Sequence, residues 1–132
     1  MTTQAMLNNH PAAASDTEAL AAAIDSLLAC AQACTSCADA CLNADGVEHM
    51  RACIRTDQDC ADICFATARV LSRQGNTDVT VLAALLAACI TACGACATEC
   101  AAHSDMHEHC RACAEACRRC EADCRRLAET LG

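Results

Sequence analysis

Sixteen cysteines recur at helical spacing along most of the chain. Between residues 30 and 41 they are separated by steps of four, three and four residues, and three later stretches repeat this rhythm. Steps averaging about 3.5 residues place successive thiols on one stripe of an α-helix. A helical face that usually carries Leu or Ile therefore carries sulfur. The stripe residues are Cys30, Cys34, Cys37, Cys41, Cys53, Cys60, Cys64, Cys89, Cys93, Cys96, Cys100, Cys110, Cys113, Cys117, Cys120 and Cys124.

Packing and disulfide formation are two uses for such a stripe. Cysteine is a small hydrophobe that is often buried, but a core filled for packing alone would not confine Leu and Ile to one end. An even cysteine count also invites disulfides. Residues three or four apart on one helix suit disulfide geometry poorly, and a helical cytosolic domain does not need cross-helix bridges. Neither use explains the pattern well.

Metal binding explains the stripe better, and the residue types favour Cu(I). Zinc knuckles and iron–sulfur clusters usually take their cysteines from loops, whereas these pairs lie on straight helices. Cu(I) is soft, prefers thiolates, and accepts two or three sulfurs, so one i,i+3 or i,i+4 pair can clamp an ion. One monovalent ion per thiolate also neutralises the buried charge. A zinc or cadmium thiolate reservoir and a thiol redox-sensing bundle remain as alternatives.

Composition and charge restrict the class of protein further. A chain of 132 residues with one Phe, no Trp and no Tyr, rich in alanine, favours a single all-α domain. The net charge is −8, and all nine basic residues are arginines, which argues against a nucleic-acid partner. Residues 1–14 contain no Arg or Lys and do not resemble a secretory signal, so a cytoplasmic protein with reduced thiols is expected.

One uncharged stretch, residues 79–98, is long enough to cross a membrane. Its many small residues and its flanks, Asp78 and Glu99, favour a buried bundle helix instead. We therefore expect no membrane partner.

Capping and turn residues divide the cysteine stretches into four helices. Capping boxes at Ser15 with Glu18, at Asp45 with Glu48 and at Asp105 with Glu108, and a cap at Asp78, mark the starts. The predicted helices span residues 15–42, 45–74, 78–102 and 105–130. Short links make neighbours antiparallel, so the predicted fold is all-α, an antiparallel up-down-up-down four-helix bundle with a cysteine-lined core. The expected organisation is a leader over residues 1–14, with at most a short helix before Pro11, and a copper-binding bundle domain over residues 15–132.

The chain is also an internal duplication, and its two bundle ends differ. The run 48–53 recurs as 108–113, with Met50 in place of Cys110, and Asp57 takes the place of Cys117 on the inward stripe. One end is predicted to form an apolar plug without cysteine. The plug residues are Leu20, Ile24, Leu27, Val70, Leu71, Val81, Leu82, Leu85, Leu86 and Leu127.

The other end holds the inter-helix turns and carries further candidate ligands. Imidazole and thioether groups bind Cu(I) in a more labile way than a thiolate cage, which suits entry and transfer. Met106 and His103 are expected to extend the inward stripes. The candidate ligands at this mouth are His49, Met50, His103, Met106, His107 and His109. Asp57 must be paired or coordinated if it is buried, as a weak copper ligand, as a hydrogen-bond partner of a thiol, or beside an arginine. His10 in the leader is taken as incidental.

The cysteine-striped helices, the duplicated hairpins and the His/Met-bearing turns resemble the bacterial copper storage proteins, in particular their cytosolic branch. The resemblance covers about residues 17–130. It implies a four-helix bundle that is folded before metal arrives, binds many Cu(I) ions in its core, admits them at the His/Met end and assembles as a tetramer. One ion per thiolate and a few at the mouth give ~16–20 Cu(I) per chain. No enzyme activity is expected, because no nucleophile–base–orienter set can be identified.

Overall fold

The structure is a computed structural model that describes residues 2–131. Every regular element in this range is helical, which confirms the all-α class. The α-helices are α1 (Thr2–Asn8), α2 (Glu18–Leu42), α3 (Arg51–Leu71), α4 (Val79–Ala101) and α5 (Glu108–Leu131).

The four long helices form a closed ring around one core. Helix α2 contacts α3 and α5, and α4 contacts the same two helices. Cys53 at the start of α3 lies against Cys100 near the end of α4, whereas Cys64 lies against Cys89, so these two helices run in opposite directions. The neighbours in the ring are those that short links between antiparallel helices bring together.

The start of α4 follows the sequence prediction. The side chain of Asp78 accepts hydrogen bonds from the amides of Thr80 and Val81, at 3.0 and 3.2 Å. Two otherwise unpaired amide groups are satisfied in this way, and such a cap stabilises a helix by about 1 kcal/mol.

The starts of α2 and α3 differ from the prediction. Thr17 occupies the N-cap position of α2 without a side-chain cap bond, and Asp16, not Ser15, accepts the amide of Glu18, at 3.1 Å. Before α3, Gly46 takes a left-handed φ of 73°, and Val47–His49 form a 3-10 turn. The predicted capping boxes at these two sites are therefore wrong, and α3 begins six residues later than 45. The box at Asp105 with Glu108 is wrong as well, because α5 begins at Glu108 itself.

The apolar end is filled by leucine and isoleucine, with one correction. Val81 was expected in the plug but is 54% exposed, because it lies on the outer face of α4. Burying each large aliphatic side chain contributes ~1.5–3 kcal/mol. The buried plug residues are Leu20, Ile24, Leu27, Leu71, Leu82, Leu86 and Leu127, with Val70 and Leu85 partly buried.

Residues before α2 also contact the plug. Leu7 of α1 is 3% exposed and belongs to the apolar core. The side chain of Gln74 donates to the carbonyl of Leu7 and accepts from the amide of Ala14, at 3.1 and 2.8 Å. These bonds hold the N-terminal segment across the link between α3 and α4.

Two helices, α2 and α4, are long and apolar enough to cross a membrane by length and composition. Core helices of bundles meet the same criterion. The cysteine face of each is buried in the ring.

Leu27 and Leu28 provide a matched test of the plug. Leu27 is fully buried, whereas its neighbour is 41% exposed. We expect Leu27→Ala to lower the free energy of unfolding by ~3 kcal/mol and Leu28→Ala by less than ~1 kcal/mol, because only the first leaves a cavity. Denaturant unfolding of the metal-free protein under reducing conditions measures both. Equal losses would show that the stabilising core lies elsewhere.

Candidate metal centre

All sixteen cysteine side chains point into the bundle. Each has a relative exposure of 0 or 1%, and each is a free thiol. Between the plug and the mouth, the core is therefore a tube of sulfur, which we call the sulfur tube. The period of about 3.5 residues produces it, because every stripe cysteine faces the same axis.

Neighbouring sulfur atoms in the tube are 3.5–4.0 Å apart, both along one helix and between helices. A disulfide needs about 2.05 Å, so these are contacts between separate thiols. Metal–thiolate bonds of about 2.3 Å join sulfurs up to ~4.6 Å apart through one ion. Ions can thus bind between adjacent sulfurs with little movement of the backbone.

Several groups of four ligand atoms lie mutually within 4.8 Å. Three groups made only of cysteines each draw on three or four helices, and each shares at least one sulfur with the next. These three groups are Cys30–Cys64–Cys93–Cys120, Cys30–Cys34–Cys60–Cys117 and Cys34–Cys96–Cys113–Cys117.

Burial keeps the outermost thiols protonated in the metal-free protein. It raises the pKa of Cys41 and of Cys110, since the charged thiolate would be poorly solvated there. A metal ion that binds these sulfurs must displace their protons.

Asp57 lies inside the sulfur tube and is fully buried. Its Oδ1 atom accepts hydrogen bonds from the thiols of Cys96, Cys100 and Cys113, at 3.1, 3.4 and 3.3 Å. Cys53 lies 3.9 Å from Oδ2. The sequence left an arginine or a thiol open as the partner of a buried Asp57. Among the described residues, its carboxyl group contacts thiols and no arginine.

Burial also raises the pKa of the Asp57 carboxyl, to about 12, and the neighbouring thiols add to this shift. The group is therefore a neutral carboxylic acid at pH 7. A neutral acid can lie among sulfur atoms without a counter-ion, which explains how this position tolerates an oxygen ligand.

At the mouth, one histidine reaches the thiols. The Nδ1 atom of His109 is 3.6 Å from the sulfur atoms of both Cys37 and Cys110. These three residues and Cys41 form a further four-ligand group. The ring of His107 lies beside that of His109, with centroids 5.1 Å apart.

The remaining mouth residues divide into two sets. Met50 is 2% exposed and lies in the core, and His103 is partly buried with its ring against Glu99. Met106 is 81% exposed, so its expected inward orientation is wrong. The side chain of His49 is also 81% exposed and contacts Glu48 instead of a thiol. Both lie in turns before a helix begins, where helical spacing does not predict direction.

Sequence reasoning missed Glu99. Its Oε2 atom is 2.9 Å from Nε2 of His103. The i,i+4 spacing of the two residues was the available signal.

A family model described as copper storage protein matches residues 16–129. The chain belongs to the copper storage protein family. Copper storage is accordingly the function of the protein, and neither a zinc or cadmium reservoir nor a thiol redox-sensing bundle is favoured.

Solved structures agree with this membership. The copper storage protein Ccsp from Streptomyces lividans, loaded with 10 copper equivalents, has a TM-score of 0.94 at 53% identity, over 96% of this chain and 98% of that one. A structure of a cytosolic copper storage protein from the same organism with five coppers has a TM-score of 0.86 at 58% identity, over 87% and 96%. The uncharacterized cysteine-rich protein YhjQ of Bacillus subtilis is 38% identical over 80 residues, which are 61% of this chain and 68% of that protein.

Asp57 makes the metal-free form of this copper storage protein sensitive to pH. The unfolded chain loses the Asp57 proton near pH 4, whereas the folded chain keeps it until the pKa of about 12. Between pH 5 and 8 the native state thus holds one extra proton, and the free energy of unfolding falls as pH rises, by up to about 1.4 kcal/mol per pH unit from this group.

We expect Asp57→Asn to remove this contribution and Asp59→Asn, at an exposed carboxylate, to retain it. Denaturant unfolding of the metal-free, reduced proteins at pH 5, 6, 7 and 8 measures the slopes. Parallel slopes for the wild type and Asp57→Asn would contradict a neutral Asp57.

Proposed function

We propose that this protein is a high-capacity, non-catalytic Cu(I) store of the cytosol that fills through its His-bearing mouth. The observation that carries the proposal is the complete burial of sixteen free thiols at contact distance from one another. Soft, monovalent Cu(I) suits such a lining because low coordination numbers let many ions share a sulfur tube. The similar Streptomyces protein, described as cytosolic and as loaded with copper, supports both the ion and the compartment.

Capacity follows from charge. Each bound Cu(I) replaces one thiol proton, so the core stays neutral as it fills when ions and thiolates are equal in number. Sixteen thiols and a few mouth ligands give ~16–20 ions per chain. The plug is separate from the ligands, and filling therefore does not require the bundle to unfold.

The mouth provides a graded path inward. His107 and His103 are partly exposed, and the ring of His109 lies beside that of His107, with its Nδ1 atom 3.6 Å from the sulfurs of Cys37 and Cys110. An ion held by imidazole nitrogen can pass to sulfur over this distance with small side-chain rotations. Met50 is buried at the same end and supplies a thioether.

Asp57 and the two exposed candidates complete the ligand set. Asp57 lies within 4.8 Å of Cys37, Cys41 and Cys53, a group that could hold an ion with one oxygen ligand. We propose that it accepts thiol hydrogen bonds before loading and becomes a weak ligand afterwards. His49 and Met106 face solvent and can serve only in the first capture of an ion.

We further propose a tetramer in which the outer face of α4 is a contact. Val79 and Val81 are 52% and 54% exposed, and the helix carries no charge between residues 79 and 98. Further along, Ala88 and its neighbours form an apolar groove with Ile63 of α3. An apolar face of this extent is typical of an interface between subunits.

Anaerobic titration with Cu(I) in the presence of a competing chelator tests the store directly. We expect ~16–20 ions per chain, with little change in far-UV circular dichroism, because the helices exist before loading. The double variant Cys64→Ala/Cys93→Ala should bind about two ions fewer. Thr67→Val, buried one turn from Cys64, should keep the full number. Saturation after one or two ions would refute the proposal. So would a competition experiment in which Cu(I) fails to displace bound zinc.

Sedimentation velocity tests the tetramer. The wild type should sediment as four chains, and Ala88→Arg should dissociate it, because a long cation would enter the apolar groove. Ala122→Arg places the same side chain on the arginine-bearing face of α5 and should leave the tetramer intact. A monomeric wild type, or identical behaviour of the two variants, would contradict the interface.

A further inference from the structure

We infer that Glu99 is a positioning residue for copper entry, which holds the His103 ring so that its Nδ1 atom is free to take Cu(I). The inference rests on the proposed function, in which mouth imidazoles pass Cu(I) to the sulfur tube. It adds a residue that binds no copper itself.

The contact fixes which nitrogen carries the proton. The Oε2 atom of Glu99 is 2.9 Å from Nε2 of His103. A carboxylate can only accept a hydrogen bond, so Nε2–H donates and the lone pair of the neutral ring resides on Nδ1. Within residues 2–131, no hydrogen bond engages that Nδ1 atom, and it remains available as a ligand.

Backbone hydrogen bonds fix the position of His103. Its amide donates to the carbonyl of Cys100, at 3.0 Å. Its own carbonyl accepts the amides of Met106 and His107, at 3.2 and 3.0 Å. The backbone of His103 is thus fixed just after α4, three residues after a thiol that contacts Cys53, and the Glu99 contact restrains its ring.

A second histidine–glutamate pair lies at the same end of the bundle but is far more exposed to water. His49 and Glu48 are 3.7 Å apart, and their side chains are 81% and 62% exposed. The His103–Glu99 side chains are only 20% and 30% exposed. Water competes much less for the His103–Glu99 pair, so only there can a carboxylate select one tautomer and one orientation.

Such outer partners matter for metal transfer. A carboxylate on the far nitrogen orients a metal-binding histidine and raises its basicity, and its loss typically costs 10–100-fold in affinity or activity. In the transfer itself, Cu(I) leaves its donor for Nδ1 and then binds a cysteine sulfur while the proton of that thiol passes to water. Copper stays monovalent, and no electron is exchanged.

Glu99→Gln tests the inference, because an amide can either accept from Nε2–H or donate to bare Nε2 and so no longer selects a tautomer. Stopped-flow mixing with one equivalent of a Cu(I)–chelator complex under anaerobic conditions measures the loading rate. We expect loading about 10-fold slower than in the wild type. Glu48→Gln is the matched control and should stay within about twofold of the wild-type rate. His103→Ala measures how much the loading rate falls when the imidazole ring is lost altogether.

A readout without copper separates positioning from a general structural role. Long-range ¹H–¹⁵N spectra of the metal-free protein report the tautomer of His103. We expect the Nε2–H form in the wild type and in Glu48→Gln, and a mixture in Glu99→Gln. The helical content of all variants should match by circular dichroism.

The outcomes distinguish this inference from the function on which it rests. If His103→Ala loads as fast as the wild type, the proposed role of His103 at the mouth fails, and the role of Glu99 fails with it. If His103→Ala is slow but Glu99→Gln matches Glu48→Gln, only the inference about Glu99 is overturned. Slow loading of Glu99→Gln with an unchanged tautomer also overturns it.

Discussion

Sixteen thiols packed side by side are compatible with a stable bundle only while they are neutral. Thiolates 3.5–4.0 Å apart in a dry core would repel one another and would lose their solvation, and both effects would destabilise the folded state. Near the mouth of the metal-free protein, burial raises the pKa values of Cys41 and Cys110 and so keeps these two thiols protonated. The copper-loaded protein meets the same constraint by exchanging each proton for a monovalent ion. Proton and copper are thus alternative ways to neutralise the same sulfur.

Each buried neutral thiol stabilises the bundle less than a large aliphatic side chain does, because cysteine is small and a thiol is a weak hydrogen-bond donor. The largest contributions per residue therefore come from the end without sulfur, where side chains such as Leu27 and Leu86 are fully buried. Leu7 and the hydrogen bonds of Gln74 extend this region to the N-terminal segment. Because the ligands and the stabilising core occupy different lengths of the bundle, the ligand-bearing part can change its contents while the helices remain in place.

The directions of the cysteine side chains in the helices were predicted correctly from the sequence, but those of two side chains in the turns were not. Cysteine spacing predicted the all-α fold and the inward sulfur, because periodicity fixes direction wherever a helix is regular. The same spacing failed for Met106 and His49, which lie in turns where backbone geometry sets the direction. Capping boxes failed before α2 and α3, since Asp16 and the 3-10 turn satisfied the backbone by other means. The hydrogen-bond partners of Asp57 could not be predicted from the sequence, because they come from three helices.

The internal duplication is symmetric in its helices and asymmetric in its ligands. Cys117 contacts Cys30 and Cys34, whereas its counterpart Asp57 contacts thiols closer to the mouth. The histidines differ in the same way, since His109 lies beside two thiols and its counterpart His49 faces water. Helix α3 therefore has three cysteines against five in α5, whereas residues 102–109 carry three histidines and residues 43–50 carry one. In a duplicated bundle with two equivalent hairpins, this divergence makes one side of the mouth better suited than the other to bring an ion to the first thiols.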